Sequence, residues 1–310
     1  MKLFKGALAA ALALTMTACS TTPKEEAPKE AEPIKVLTPL GAPSLSMLGL
    51  YGDEKVTLDT VDGSDTLQAE LAKSDGDYDM IVAPINLGAK MITSGKSGYT
   101  LSHVVTWGNL YIVGTDDNAL DEEGEFAVFG EKAVPQIVLN ASMDLSTIKA
   151  TPQYFNSVND VQAQLLTGKA KVGLMAEPAA TATIAKAKEK NIELKIIKDL
   201  QEEYKAKNNL ESNGYPQAAL FVKKGSEDKV ASYIETATTF ADEAGKNSDK
   251  IKSQIEIATA EKLGIPNAEI AVKTWERQNI HIKKASDVKT DVETFLKQFK
   301  IEATDDLYTK

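Results

Sequence analysis

"GLMAEPAATATIAKA" occupies Gly173–Ala187, and the architecture can be read outward from it. Val172-Gly173-Leu174-Met175 is a short apolar run, the pattern of a strand buried on both faces of a parallel sheet. An alanine-rich helical segment, 179–190, follows almost at once, with Glu177 and Pro178 at the junction. Proline suits the first helical turn, because its missing N–H has no intrahelical partner there and its φ is already near helical. A carboxylate beside it meets the positive end of the helix dipole. Glu177 therefore either caps its own helix or offers an acceptor to a ligand N–H or cationic group.

The same junction recurs three times. Pro43 follows a strand in "VLTPLGAPSLSML", Pro84 follows one in "MIVAPINLGAKMI", and Pro135 follows one in "FAVFGEKAVPQIVL". Strands are expected at 35–38, 56–59, 80–82, 110–113, 126–129, 172–175, 193–197 and 219–222. Helices are expected at 65–73, 159–167, 179–190, 227–244, 249–263 and 287–299. The last carries the stripe Val288, Val292, Phe295, Leu296 and Phe299. This alternation argues for α/β architecture with mixed, mainly parallel sheets and no short solenoid repeat. Four strands then feed four proline-started helices at the carboxyl edge of the sheets, where open α/β sheets bind ligands.

The chain has 310 residues, enough for two modest domains, with 43% apolar and 26% charged residues. Its net charge of −10 excludes nucleic acid as an expected partner, since a phosphate-binding face must be basic. Met1–Lys5 is a short basic start, and 6–18 is an apolar run too short to span a bilayer as a mature helix, so 1–18 reads as a signal peptide. It ends at Cys19, the single cysteine, which has no partner for an internal disulfide. Residues 19–33 form a polar tether rich in Pro, Glu, Lys and Ala.

Two resemblances follow. Met16-Thr17-Ala18-Cys19 resembles the lipobox of bacterial lipoproteins, with methionine where leucine is commonest, and implies that Cys19 is acylated. "VLTPLGAPSLSM", "YDMIVAPINLGAKM", "VTWGNLYIVG", "GLMAEPAATA" and "GYPQAALFVKK" together resemble the type II solute-binding proteins of bacterial ABC importers, the group with sulfonate, nitrate and thiamine-precursor binders. That resemblance spans 34 to about 299. It implies a periplasmic-binding-protein-like fold of two lobes: 34–109 with 222–310, and 110–221. The lobes would be joined by crossing strands at Gly108–Thr115 and Tyr215–Val222, with a solute clamped between them. It also implies a permease partner and a place on the extracytoplasmic face of the cell membrane, held by the lipid.

The candidate cleft residues come from both lobes. Pro43 and Ser44 follow the first strand; Ser44 caps either a ligand or its own helix. Asn86 offers a donor and an acceptor, or is a first-turn surface residue. Trp107, Asn109 and Tyr111 alternate onto one face of an extended segment, with Trp107 either stacking on a planar ligand or packing in the core. Gln136 and Asn156 are neutral hydrogen-bonding side chains at helix entries, Glu177 is the acid described above, and Tyr215 opens the second crossing. The single arginine, Arg277, reads as a structural residue with Glu276 and Asp287 as surface partners. With bidentate anion recognition thus scarce, the expected solute is neutral or weakly charged, with heteroaromatic compounds among the candidates.

Little in the chain suggests catalysis. The two histidines, His103 and His281, are far apart and read as surface or packing residues. No zinc-type cluster, phosphate loop or nucleophile elbow is present, so no cofactor or metal is expected. Asp75, Asp77 and Asp79 resemble alternating calcium ligands, but the run lacks the length and glutamate of an EF-hand and reads as a solvated turn. An enzyme of thiamine-precursor-synthesis type on the same fold and a surface adhesin or receptor are the alternatives.

Overall fold

The computed structural model describes residues 32–212 and 214–309; Cys19, the leader and most of the tether lie outside them. The strands are β1 (Ile34–Pro39), β2 (Val56–Val61), β3 (Met80–Pro84), β4 (Tyr99–Thr106), β5 (Leu110–Gly114), β6 (Gly124–Phe129), β7 (Ala150–Phe155), β8 (Val172–Ala176), β9 (Lys195–Asp199), β10 (Ala218–Lys223) and β11 (Ile280–Lys284). The helices are α1 (Ala42–Ser46), α2 (Asp65–Leu71), α3 (Ile85–Thr93), α4 (Val134–Ser142), α5 (Val158–Leu166), α6 (Ala179–Glu189), α7 (Leu200–Asn208), α8 (Glu227–Ala244), α9 (Ser248–Ala258), α10 (Ala260–Leu263), α11 (Ala268–Thr274) and α12 (Lys289–Lys297). None of these helices is long and apolar enough to cross a membrane.

The strands form a six-stranded sheet, β11-β4-β10-β3-β1-β2, and a five-stranded sheet, β7-β6-β8-β5-β9. Parallel pairing is confined to β2-β1-β3 and β7-β6-β8, where βα units follow one another. The other five pairs are antiparallel, so the sheets are mixed and the expectation of mainly parallel pairing is corrected. The reason is topological. β1, β3, β6 and β8 all end at the edge where the chain passes from one sheet to the other. β5 and β10 begin at that edge, so they must run against their neighbours.

The passage itself is short. Thr106 ends β4 and Leu110 begins β5, leaving Trp107-Gly108-Asn109 as the first connection. The return runs between α7 and β10. Of the two expected crossing stretches, 110–114 is β5 of the five-stranded sheet and 218–222 lies in β10 of the six-stranded one. Two glycines allow the two connections to touch. Gly108 has φ 92°, and a Cβ there would stand 2.6 Å from the Tyr215 ring. Gly214 has φ 122°, and a Cβ there would stand 2.0 Å from the Trp107 carbonyl oxygen.

Each sheet is covered on both faces, which is why its central strands are apolar throughout. Ile34, Val36, Met80, Val82, Leu220 and Val222 pack under α8, α9 and α11. Val113, Ala127 and Met175 pack under α5 and α6. The remaining core is continuous through both sheets: it runs from Leu37, Ile81 and Phe221 through Tyr215 and Phe295 to Leu200, Leu174 and Phe126.

Candidate functional site

The facing edges of the two sheets carry the four helix starts. Pro43 and Pro135 lie in the first turns of α1 and α4, while Pro84 and Pro178 are the N-caps of α3 and α6. Register places these edges side by side. Pro84 lies opposite Ala218, and Ala218 opposite Thr106, at one end of the six-stranded sheet. Four residues after Thr106, Leu110 lies opposite Ala176 at the end of the other sheet. Asn109 carries the β5–β8 pairing one step further toward the other sheet: its carbonyl accepts from the Glu177 N–H at 2.9 Å and its Nδ2 donates to the Glu177 carbonyl at 2.8 Å.

Glu177 is the most enclosed acid of this edge: its side chain is 0% exposed. It caps α6, accepting from the Thr181 N–H at 3.0 Å and the Thr181 hydroxyl at 2.7 Å. It also accepts from Arg277 Nε at 2.7 Å, and Arg277 Nη2 donates to Thr181 Oγ1 at 2.8 Å. The single arginine is therefore part of the site, not a surface partner of Glu276 and Asp287. It stands in a short 3-10 turn, Glu276–Gln278, that leads into β11. The Tyr111 hydroxyl donates to the Arg277 carbonyl at 2.9 Å, and burial raises that phenol's pKa well above its ordinary value.

The other expected residues divide into two sets. Trp107 is 2% exposed; its Nε1 donates to the His281 carbonyl at 2.8 Å and the Lys283 ammonium lies 5.5 Å from its ring, so it is packed here. Tyr215 is fully buried, with its hydroxyl 3.2 Å from Gln201 Oε1. Trp107, Asn109, Tyr111, Glu177 and Tyr215 thus belong to one network. Ser44 is tied down elsewhere, donating to the Gly41 and Leu263 carbonyls at 2.8 and 2.9 Å. Gln136 accepts from the Lys132 N–H at 2.6 Å beside its own helix start. Pro43 is half-buried in α1, and Asn156 is exposed before α5, whose capping box is made by Ser157 and Asp160.

Several acceptors at these edges are buried and unpartnered, among them Asn86 Oδ1 at the start of α3, Asn109 Oδ1, and Gln217 Oε1 just before β10. Asn109 is 6% exposed, and its orientation is fixed because Nδ2 already donates to a carbonyl. Buried polar atoms are normally paired, so these mark places where a donor fits. Sequence reasoning missed three members of the site. They are Thr181, Arg277 and Gln201, which accepts from the Leu110 N–H at 2.9 Å and donates to the Leu110 carbonyl at 3.0 Å. Their partners lie 91 to 100 residues away or, for Thr181, within a capping pattern that needs no ligand.

No family model matches the chain, and no curated protein does. Solved structures do. An ABC transporter protein from Parabacteroides distasonis aligns at 20% identity and TM-score 0.73, covering 90% of this chain and 99% of that one. The periplasmic aliphatic sulphonate binding protein SsuA from Escherichia coli aligns at 13% identity and TM-score 0.61, covering 89% and 90%. The periplasmic nitrate-binding protein NrtA from Synechocystis aligns at 14% identity and TM-score 0.54, covering 87% and 81%. The chain therefore has the periplasmic-binding-protein-like α/β fold.

Proposed function

We propose that this chain is an extracytoplasmic solute-binding protein that takes a small organic solute between its two sheets and delivers it to an ABC importer. The lobes of this reading are the six-stranded sheet with its helices and the five-stranded sheet with its own. The names of the similar structures support the role, and the facing strand edges carry it. Both sheets aim the ends of parallel strands at one seam, where Asn86 Oδ1 and Asn109 Oδ1 are buried acceptors without a donor. A solute presenting N–H groups satisfies them, so the reading favours a neutral or weakly charged, donor-bearing compound. Cys19 would hold the protein on the membrane through its lipid, because about 0.8 kcal/mol per buried methylene makes two or more acyl chains a firm anchor.

The test is mass spectrometry of small molecules released from the purified protein, followed by thermal shifts with vitamins, pyrimidines and sulfonates. A true solute at a hundred times its dissociation constant stabilises by about 2.7 kcal/mol. No released compound and no shift across the panel contradicts the reading, and turnover of a released compound favours an enzyme. For the anchor, Cys19→Ala should release the protein into the medium or block processing; normal levels on the membrane would refute it.

A further inference from the structure

Glu177 is held from two directions. From its own helix it takes two hydrogen bonds from Thr181. From the segment that leads into the six-stranded sheet it takes Arg277, while Tyr111 of the five-stranded sheet holds the Arg277 carbonyl. One 3-10 turn is thereby bonded across the seam by both its side chain and its backbone. The two ends of the ion pair differ. Glu177 is wholly enclosed, but the Arg277 side chain is 37% exposed. If the guanidinium leaves, Glu177 keeps two donors from Thr181 and the start of α6, and Arg277 passes into water. Neither group is left as an unpaired buried charge, which would be the expensive outcome. A contact with directional, charge-assisted bonds and cheap separation suits repeated opening.

We propose that Arg277 is a latch whose docking on Glu177 and Thr181 sets the balance between joined and parted sheets. It rests on the seam being the solute site, and it makes Arg277 an affinity-determining residue that need not touch the solute. If only a fraction of molecules is joined, the apparent dissociation constant rises by the inverse of that fraction. Loosening the latch therefore weakens binding without removing a solute contact.

The test needs no solute. Solution scattering and amide hydrogen exchange are measured on the full chain and on the Arg277→Lys, Arg277→Gln and Glu177→Gln variants. The radius of gyration should rise from parent to Lys to Gln at position 277. The Gln278 and Asn279 amides of the 3-10 turn, which donate to the Trp275 and Glu276 carbonyls, should exchange about tenfold faster or more in Arg277→Gln, where the turn loses its side-chain hold across the seam. The Tyr215 amide, which donates to the Trp107 carbonyl at 3.2 Å, should be unchanged. An Arg277→Gln protein that melts like the parent and keeps its radius and exchange rates overturns the latch. If the Gln variant does not fold, Arg277→Lys decides alone, and an unchanged radius refutes the proposal. A larger radius with no solute ever found would support the latch and count against the solute reading; tight solute binding with an unchanged radius would do the reverse.

Discussion

The two sheets meet along two seams of opposite chemistry. One is aromatic. Tyr204 and Tyr215 lie 5.3 Å apart edge to face, Tyr215 stacks on Phe295 at 5.3 Å, and Phe295 meets Phe299 at 5.2 Å. This seam binds α7 of one sheet to α12 of the other, and Gln201 fastens it to β5. The second seam is polar and rests on Glu177, Thr181, Arg277 and Tyr111. Apolar burial resists separation, because parting the rings would expose their full area to water. Charged hydrogen bonds can trade partners with water, which offsets much of what they contribute. In the proposed latch, the aromatic seam is the pivot and the polar seam is the side that opens.

This contrast makes graded predictions. Phe295→Ala should cost about 3–5 kcal/mol, the range for emptying an aromatic core site, read from urea denaturation. A loss below about 1 kcal/mol would show that the aromatic seam does not hold the molecule together. Gly214→Ala should cost about 2 kcal/mol or more, because it forces a side chain into a positive φ and against the Trp107 carbonyl. On the polar side, a double-mutant cycle of Glu177→Gln with Arg277→Gln should give a coupling of about 1–2 kcal/mol. Zero coupling would mean that the ion pair does not join the seam.

A pH-dependent effect should come from neither seam. Burial lowers His103 to a pKa of about 4, and burial also lowers His281. The unfolded chain therefore takes these protons first as the pH falls. Stability from this source is full above the ordinary histidine range and is lost as the pH drops from about 6.5 toward 4. His103→Gln should flatten the melting temperature across that window; an unchanged slope would place the acid sensitivity elsewhere.

The sequence disclosed what is local. Apolar runs marked β1, β3, β5, β6, β8 and β10, and the prolines marked the helix starts on the facing edges. It hid β7, whose Pro152 disguises a strand that tolerates proline because it lies at a sheet edge. It also hid β11, short and half lysine-bearing for the same reason. The turn at Asp75, Asp77 and Asp79 reads as solvated; Asp75 and Asp77 are exposed and pair with Lys223 and Lys73, but Asp79 is only 15% exposed and pairs with Lys229. The site was legible only in part. Glu177 stands out through its helix start, but nothing around Arg277 points to a partner a hundred residues earlier. For Trp107 the sequence leaves a stacking surface and a core position open, because burial depends on strands that periodicity does not order; the structure packs it.

The most direct measurement of the central claim is hydrogen exchange at both seams as a solute is removed and restored. The protein is unfolded, dialysed and refolded, and the small-molecule fraction released from it is then added back. The account predicts that restoration slows the Gln278 and Asn279 amides of the turn that carries Arg277 and leaves the Tyr215 amide unchanged. Equal slowing at both seams, or slowing at the aromatic seam alone, would contradict it.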